Sequence, residues 1–417
     1  MDWSVSRRPA FWQGTKLAYP DVPREHPKFS ESVTVGNLVL VSGCGGKDTV
    51  TGAPAPPDVA GQVTTALDKT RAALEAAGSS MENIIKTFFL IRSLDDYGEV
   101  RKTETEYYER HAPSLIETPP SATLMVVPGL ANPAYRLEYE VIAAKDRTAP
   151  EWGVTYYPEF WGGRELAFPH VPKEHAKFAR TQVIGGLVAV SGCQALDHGT
   201  VRVETMDFAE QTRICLDKVR TGMEETGGSL ETTAKTVVFI KDPARISEYR
   251  DIERAYFAEH APALADNPPA STLMVVEELP RPEFLVEVEA FGVAGGALPG
   301  WPVAFYPGAV RAGQLLFSAA IGAGGGIEAQ IESQIEAAFT GLKASLENAG
   351  GRLDGLVKTT MMLTRLEDYP VMRRVETEFY EAHAPALLDN PPASTFIQLQ
   401  ACEGEDSLFQ VDGTAVL

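Results

Sequence analysis

Apolar positions in the first third of the chain follow two different spacings. Residues 38–41 and 84–91 are nearly continuous apolar runs rich in β-branched side chains, which predicts strands within a sheet. Between these runs, Val63, Leu67 and Leu74 keep helical spacing over residues 59–77, and Gly78 follows as an end signal. The pattern therefore predicts a β-sheet joined by an amphipathic helix.

The same alternation of strands and helices continues to residue 143. A second helix is predicted from about residue 94 to residue 110, because its pattern is followed by His-Ala-Pro. Strands are expected at 122–127 and 135–143, the second with the alternation of a half-buried strand. The predicted order is β-β-α-β-α-β-β, which gives a sheet with two helices on one face.

This unit occurs three times in the sequence. Ser42-Gly43-Cys44 returns as Ser191-Gly192-Cys193, 149 residues later, and Lys86-Thr87 returns as Lys235-Thr236 at the same offset. A more diverged third copy repeats Lys-Thr at Lys358, 123 residues after Lys235. Repeats of this kind indicate tandem structural units. We predict three domains, at residues 1–146, 147–294 and 295–417.

Composition and charge narrow the possible functions. The 417 residues carry a net charge of −20, which repels phosphate backbones, so nucleic acid is not an expected partner. No apolar run reaches the roughly 18 residues of a membrane span. The four cysteines are scattered, and we expect a cytoplasmic protein. Neither metal-ligand spacing nor a nucleotide-binding glycine motif occurs, so neither a metal nor a cofactor is predicted.

Four sequence blocks carry a resemblance to a known family. They are V-G-N-L-x-x-V-S-G at 35–43, A-G-x-x-x-x-x-I-x-K-T at 77–87, E-x-x-Y-Y-x-x-H-x-P at 104–113 and E-x-E-x-I-A at 138–143. Their order resembles the Rid/YjgF family of small trimeric proteins. The resemblance implies an α+β, chorismate-mutase-like fold. Because family members are homotrimers with a ligand cleft between subunits, three fused copies imply a monomeric single-chain pseudo-trimer with three clefts.

The resemblance also implies an activity, the hydrolysis of imines and enamines derived from amino acids. Imine-deaminating members place a carboxylate-binding arginine where this chain has Ser121, Ala270 and Ala393. We therefore expect a cofactor-free enzyme acting by water addition or proton transfer on a small imine, enamine or related unsaturated metabolite, with a specialised or biosynthetic role. Two alternatives stay open, a chorismatase-like hydrolase or lyase, and a non-catalytic protein that binds a small ligand or a partner.

Candidate catalytic residues come from the resemblance and from a recurring segment, 22–26 and 171–175, that precedes the strands of copies one and two. The glutamate of the last strand, expected to handle the proton, corresponds to Glu138 and Glu287, and the third copy has Gln410 instead. The alternative is that both glutamates are solvent-facing strand charges. His26 and His175 titrate near neutrality and are candidates for a general acid or base, although such histidines also tie down loops.

Candidate substrate-binding residues come from four recurring positions. These are the strand serine, the penultimate-strand threonine, the cleft aromatic and a helix arginine, namely Ser42, Ser191, Thr123, Thr272, Phe29, Phe178, Tyr306, Arg101, Arg250 and Arg373. The arginines would bind an anionic small-molecule substrate. Each is also followed three residues later by a glutamate, so the alternative is a set of ordinary surface ion pairs.

Overall fold

The computed structural model describes residues 1–10, 27–48, 55–159, 178–295, 300–323, 330–404 and 406–417. Two predicted catalytic residues, His26 and His175, lie outside this part of the chain. Among the described residues, no helix combines the length and the apolar character that crossing a bilayer requires.

Repeat 1 follows the predicted order, with a strand added at its start. Its strands are β1 (Val5–Pro9), β2 (Ser30–Val35), β3 (Leu38–Val41), β4 (Cys44–Gly45), β5 (Ile84–Ile91), β6 (Ser121–Val126) and β7 (Leu137–Ala144). Its helices are α1 (Val59–Ala76), α2 (Tyr97–His111) and the short α3 (Ser114–Glu117). The predicted strand at 38–41, the predicted strand at 84–91 and both long helices are confirmed.

Repeat 2 has the same arrangement with an extra small hairpin. Its strands are β8 (Val154–Glu159), β9 (Phe178–Ile184), β10 (Leu187–Cys193), β11 (Leu196–Asp197), β12 (Arg202–Val203), β13 (Thr233–Ile240), β14 (Ala270–Val275) and β15 (Val286–Val293). Its helices are α4 (Phe208–Glu225), α5 (Ile246–His260) and α6 (Pro262–Asp266). The added hairpin pairs β11 with β12 and lies outside the main sheet.

Repeat 3 keeps the two long helices and the sheet despite its divergence in sequence. Its strands are β16 (Val303–Tyr306), β17 (Ala309–Ala312), β18 (Leu315–Ser318), β19 (Ile321–Gly322), β20 (Leu356–Leu363), β21 (Ala393–Gln398) and β22 (Phe409–Val416). Its helices are α7 (Ile331–Asn348), α8 (Tyr369–His383) and α9 (Ala386–Asp389).

Within each repeat the last strand lies in the middle of the sheet. In repeat 1, β7 pairs antiparallel with β3 and with β5, and β5 pairs in parallel with β6. The helices cover one face, where α1 begins at an Asp58 cap that accepts a hydrogen bond from the Gly61 amide. Val63, Leu67 and Leu74 point from α1 into the core, as their spacing predicts.

The opposite face of each sheet is also buried. Val33, Leu187 and Leu315, one from each repeat, belong to a single apolar cluster. The expectation that β7 is a half-buried strand is therefore wrong, because six of its eight residues are buried, the other two are partly buried, and both faces of the strand are covered. A strand covered on both sides explains why its glutamates are not at the surface.

Backbone hydrogen bonds connect each repeat to both of the others. β6 of repeat 1 pairs in parallel with β9 of repeat 2 at Ser121 and Ala179, and β21 of repeat 3 pairs with β2 of repeat 1 at Ala393 and Ser30. Repeats 2 and 3 are joined where the Ala320 amide donates to the Ser271 carbonyl at 2.9 Å. We call the three resulting clefts I (repeats 1 and 2), II (repeats 2 and 3) and III (repeats 3 and 1).

Each interface also contains a lysine–carboxylate pair, which is buried between repeats 1 and 2 and partly buried between repeats 3 and 1. Lys86 lies 2.6 Å from Glu289, Lys235 lies 3.0 Å from Asp412, and Lys358 lies 2.8 Å from Glu140. In every pair the lysine and the carboxylate come from different repeats. The recurring Lys-Thr motif therefore supplies one half of an ion pair whose other half lies in the next repeat.

A tryptophan from each repeat forms a second shared cluster. Trp3, Trp152 and Trp301 stand 149 residues apart and meet edge to face, with ring centroids 4.9 Å, 4.9 Å and 5.7 Å apart. Edge-to-face aromatic pairs add to the stabilisation from area burial. Each of these residues precedes the first strand of its repeat, so the cluster brings the starts of the three repeats into contact.

Replacing Lys86 tests the buried pair in cleft I. Lys86→Met leaves the Glu289 carboxylate buried without its ammonium partner, and we expect a loss of about 3–5 kcal/mol in unfolding free energy, read from the urea midpoint. The double variant Lys86→Met/Glu289→Leu should recover most of this loss. Lys102→Met, which breaks an exposed pair with Glu99, is the matched control and should cost no more than about 1 kcal/mol. A double variant no more stable than the single one would contradict the interpretation.

Candidate functional site

A cavity of about 350 Å³ lies in cleft I. Helix α2 and strand β6 of repeat 1 form one wall, and strands β10 and β15 of repeat 2 form the other. The polar lining includes Tyr97, Arg101 and Glu104 from repeat 1 and Gln194 and Glu287 from repeat 2. A space of this size, with a few convergent polar groups, is typical of a small-molecule site.

Glu287 is a buried acid in the wall of this cavity. Its relative exposure is 0%, and neither carboxyl oxygen has a partner with hydrogen-bond geometry among the described residues. Burial raises the pKa of Glu287 to about 8, although the neighbouring Gln194 side chain favours the charged carboxylate and so opposes the shift. The carboxyl group is therefore mostly protonated at pH 7. The alternative that Glu287 is a solvent-facing charge is wrong.

A glycine makes room for this acid. A Cβ atom at Gly192 on β10 would collide with the Glu287 carboxyl group, and a Cβ atom at Gly43 would collide with Glu138 in the same way. The glycine of the V-S-G motif is thus explained by close approach of a buried side chain rather than by a turn. The third copy has Ala320 beside Gln410, so both members of the pair have changed together.

Arg101 brings a cation to the opposite wall of cleft I. It projects from α2 and forms an ion pair of 2.5 Å with Glu104, which in turn accepts a hydrogen bond from Tyr108. The predicted i,i+3 pair is present, but Glu104 is only 3% exposed, so it is not a surface pair. The buried Glu104 carboxylate thus holds the Arg101 guanidinium group, and Arg101 lines the cavity.

Cleft II contains the same elements with different chemistry. Arg250 pairs with Glu253 of its own helix and also with Glu403 of repeat 3, at 2.8 Å and 2.7 Å. Gln410 stands where Glu287 stands in cleft I, and its amide donates to the Leu273 carbonyl at 2.8 Å. Cleft II therefore has an amide in place of the acid of cleft I, and its arginine is already paired with two glutamates.

Cleft III brings Glu138 of repeat 1 close to repeat 3. Burial raises the pKa of Glu138 to about 7, while Lys358 and Lys69 oppose the shift. Arg373 is only 3% exposed and is held by Glu376 at 2.7 Å. Glu138 is 5% exposed, so its solvent-facing alternative is also wrong.

The predicted threonines take part in the lysine–carboxylate pairs. The Thr123 hydroxyl accepts from Lys86 at 2.6 Å and donates to Glu289 at 2.5 Å, and it also accepts from the Gly192 amide. Thr272 sits between Lys235 and Asp412 in the same way. These hydroxyls hold the interfaces, and their role as substrate ligands stays a prediction.

The predicted serines bridge two repeats. Ser191 donates to the Ala179 carbonyl at 2.6 Å and accepts from the Ala122 amide at 2.8 Å. Ser42 makes the corresponding bonds to the Ser30 carbonyl and to the Ser394 amide. Both hydroxyls thus satisfy backbone groups where neighbouring strands meet, and a further role toward a ligand stays a prediction.

The cleft aromatics differ in position. Phe178 lines the cavity in cleft I. Tyr306 packs against the core of repeat 3, and Phe29 is half-buried directly before β2. Of the three aromatics, Phe178 is the one that the cavity in cleft I brings together with Arg101 and Glu287.

Several cavity residues were not singled out from the sequence. Tyr97 lies one turn before Arg101, and Gln194, Arg281 and Phe284 complete the wall formed by repeat 2. Gln194 stands where the first copy has Gly45, and this difference between aligned repeats was a sequence signal that could have identified Gln194. Within the described part of the chain, no three His, Cys, Asp or Glu side chains are grouped so as to hold a metal ion.

Glu287 makes stability depend on pH. The folded state keeps its proton up to a pKa of about 8, whereas the unfolded chain releases it near 4.5. Between these values the folded state binds more protons, so stability falls as pH rises, by up to about 1.4 kcal/mol per pH unit.

Glu287→Gln removes this titration. We expect the variant to gain stability over the wild type as pH rises from 5.5 to about 8, with the difference read from urea midpoints at each pH. Glu109→Gln, at an exposed position of α2, is the control and should track the wild type. A difference between Glu287→Gln and wild type that does not vary with pH would contradict a raised pKa.

Comparisons with known proteins match the chain repeat by repeat. A 2-iminobutanoate/2-iminopropanoate deaminase of Escherichia coli is 28% identical over 129 residues, which is 31% of this chain and 96% of that protein. A RutC family protein of Pyrococcus abyssi is 27% identical over 128 residues, covering 30% of this chain and 94% of the relative. Both relatives therefore correspond to one repeat.

Two solved structures are also similar to this chain. The YjgF gene product of Escherichia coli is 28% identical and covers 32% of this chain and 100% of its own, with a TM-score of 0.27. A chorismatase is 14% identical and covers 80% of this chain and 93% of its own, with a TM-score of 0.49.

The family model described as Endoribonuclease L-PSP matches residues 21–145, 169–294 and 301–417. These three matches take up most of the sequence and fall on the three repeats of the structure. The chain therefore belongs to the Rid/YjgF family, as a protein with three copies of the family domain.

Proposed function

We propose that the chain is a cofactor-free hydrolase that adds water to a small imine or enamine bearing a carboxylate, and that the reaction takes place in cleft I. One observation carries the proposal. A buried Glu287 carboxyl group without a described hydrogen-bond partner lines the same cavity as Arg101, which has Glu104 as its partner in the described structure.

The two groups divide the work. Arg101 would bind the substrate carboxylate, in place of the arginine that deaminating relatives carry at the position of Ser121. Glu287, protonated at neutral pH, would donate its proton to the imine nitrogen and make the imine carbon more electrophilic. The resulting carboxylate then accepts a proton from the attacking water.

The atoms balance without any further reactant. Water adds its oxygen to the imine carbon and gives one proton to Glu287, forming a carbinolamine. Return of that proton to nitrogen makes ammonia the leaving group. As the carbon–nitrogen bond breaks, Glu287 accepts the proton of the carbinolamine hydroxyl, so ammonia leaves, a 2-oxo acid remains and Glu287 is protonated again. The name of one relative, 2-iminobutanoate/2-iminopropanoate deaminase, describes this reaction class and supports the proposal.

The charge of the protein favours a small substrate over RNA. A net charge of −20 opposes the approach of a phosphate backbone, while Arg101 in the cavity wall can still attract one carboxylate. We accordingly propose a small anionic metabolite as the ligand of cleft I.

We further propose that the chain works as a single-chain pseudo-trimer. The three interface ion pairs and the shared tryptophan cluster support this arrangement, because each joins one repeat to another. Sedimentation equilibrium should give a mass of 45.1 kDa, that of one chain. A mass of two or three chains would contradict an assembly completed within one molecule.

Ammonia release from freshly generated 2-iminobutanoate tests the activity. The wild type should accelerate release over buffer, and Glu287→Gln should lower kcat by about 10²–10⁴, because an amide cannot donate and recover the proton. This variant keeps the shape of an uncharged side chain, so folding should be retained.

Arg101→Met should raise KM and lower kcat/KM by about 10- to 100-fold, the value of a charge-assisted hydrogen bond. Lys102→Met, one residue further on the same helix, is the matched control and should behave as wild type. No acceleration by the wild type, together with measurable binding of 2-oxobutanoate, would overturn catalysis in favour of a ligand-binding protein.

A further inference from the structure

Arg250 in cleft II is held by a glutamate from the neighbouring repeat. Its Nε donates to Oε1 of Glu403 and its Nη2 donates to Oε2, both at 2.7 Å. The remaining nitrogen, Nη1, donates to Glu253 at 2.8 Å and to the Ser271 hydroxyl at 2.9 Å. Every nitrogen of this guanidinium group is therefore engaged.

The two parallel bonds to Glu403 have the geometry with which arginine binds a free carboxylate. Glu403 lies in the connection between β21 and β22, across the cleft from α5. Its side chain is 34% exposed, so the pair lies at the mouth of the cleft rather than in the core. Arg250 itself is 21% exposed, close to the 20% of Arg101 in cleft I.

Cleft I shows the same arginine without this partner. Pro280 stands 123 residues before Glu403, at the aligned position of repeat 2, and lines the open cavity. Arg101 retains its Glu104 pair there, which matches the Arg250–Glu253 pair. At this position cleft II thus has a glutamate whose side chain binds the arginine, whereas cleft I has a proline.

We propose that cleft II is a carboxylate-binding site that the chain keeps filled with its own Glu403 side chain. Removing this side chain opens the site to a small free monocarboxylate, which takes its place on Arg250. Bound ligand is not turned over, because Gln410 replaces the acid of cleft I. The inference concerns binding in cleft II and does not depend on catalysis in cleft I.

Isothermal titration with 2-oxobutanoate in an Arg101→Met background tests the proposal. This background removes the cation of cleft I, so cleft II is read alone. We expect Arg101→Met/Glu403→Ala to bind one equivalent, with an apparent Kd at least about tenfold lower than that of Arg101→Met, because the site no longer spends most of its time self-occupied. Adding Arg250→Met should abolish this gain.

A matched control replaces another glutamate of repeat 3. Arg101→Met/Glu381→Ala removes one negative charge at an exposed position of α8 and should bind like Arg101→Met. Equal affinity in the Glu403 and Glu381 variants would overturn the proposal, and so would a gain that survives Arg250→Met.

A second measurement covers the case in which the Arg101→Met background does not fold. Glu403→Ala in the otherwise wild-type chain should then raise the number of 2-oxobutanoate sites by one, whether or not cleft I turns over an imine. An unchanged number of sites would overturn the proposal. Failure of the ammonia assay with this increase intact would count against the proposed function alone.

Discussion

Three lysine–carboxylate pairs, each largely withdrawn from solvent at an interface between repeats, are the constraint on which the arrangement of the repeats depends. A lysine ammonium group taken out of water requires a partner, and in each case that partner belongs to another repeat. The pairs therefore fix how the sheets meet. Glu287 lies two residues before Glu289 on β15, so the pair that joins β15 to Lys86 also sets the position of the acid in cleft I. The geometry of the site and the attachment of the repeats have one physical cause.

The same framework carries three clefts with different electrostatics. Cleft I combines the protonated Glu287 with an arginine that lines a cavity. Cleft II has an amide, Gln410, and an arginine held by Glu403. In cleft III, Glu138 lies beside repeat 3 and has a pKa near 7. Such divergence is open to a fused chain because each copy mutates separately, whereas one substitution in a homotrimer changes three sites at once. Retention of the glycine beside each glutamate, and its loss beside Gln410, shows that burial of the acid is coupled to the neighbouring strand.

Local patterns were sufficient to predict the elements, and the offsets between copies were sufficient to predict the repeats. Contacts between repeats were not available from local patterns. Lys86 and Thr123 stand in recurring motifs, but their partner Glu289 is in the next copy, and no spacing rule connects them. For the same reason the sequence left open the alternative of a solvent-facing Glu287, since the strand is covered on its second face by another repeat. Trp3, Trp152 and Trp301 did keep a constant 149-residue offset, which was a usable signal.

The third interface differs from the other two in its connectivity. Repeats 1 and 2, and repeats 2 and 3, follow each other directly in the chain, whereas repeat 3 meets repeat 1 through contacts between residues far apart in the sequence, such as Lys358 with Glu140 and β21 with β2. The contact is head to tail, a kind of interface that extends into open polymers when it does not close on itself. In the proposed single-chain pseudo-trimer, tethering supplies a high local concentration of the correct partner, which favours closure within one molecule over pairing between molecules. The linkers between repeats thus act against the joining of separate molecules into polymers. The low concentration of newly made chains also favours the closed form.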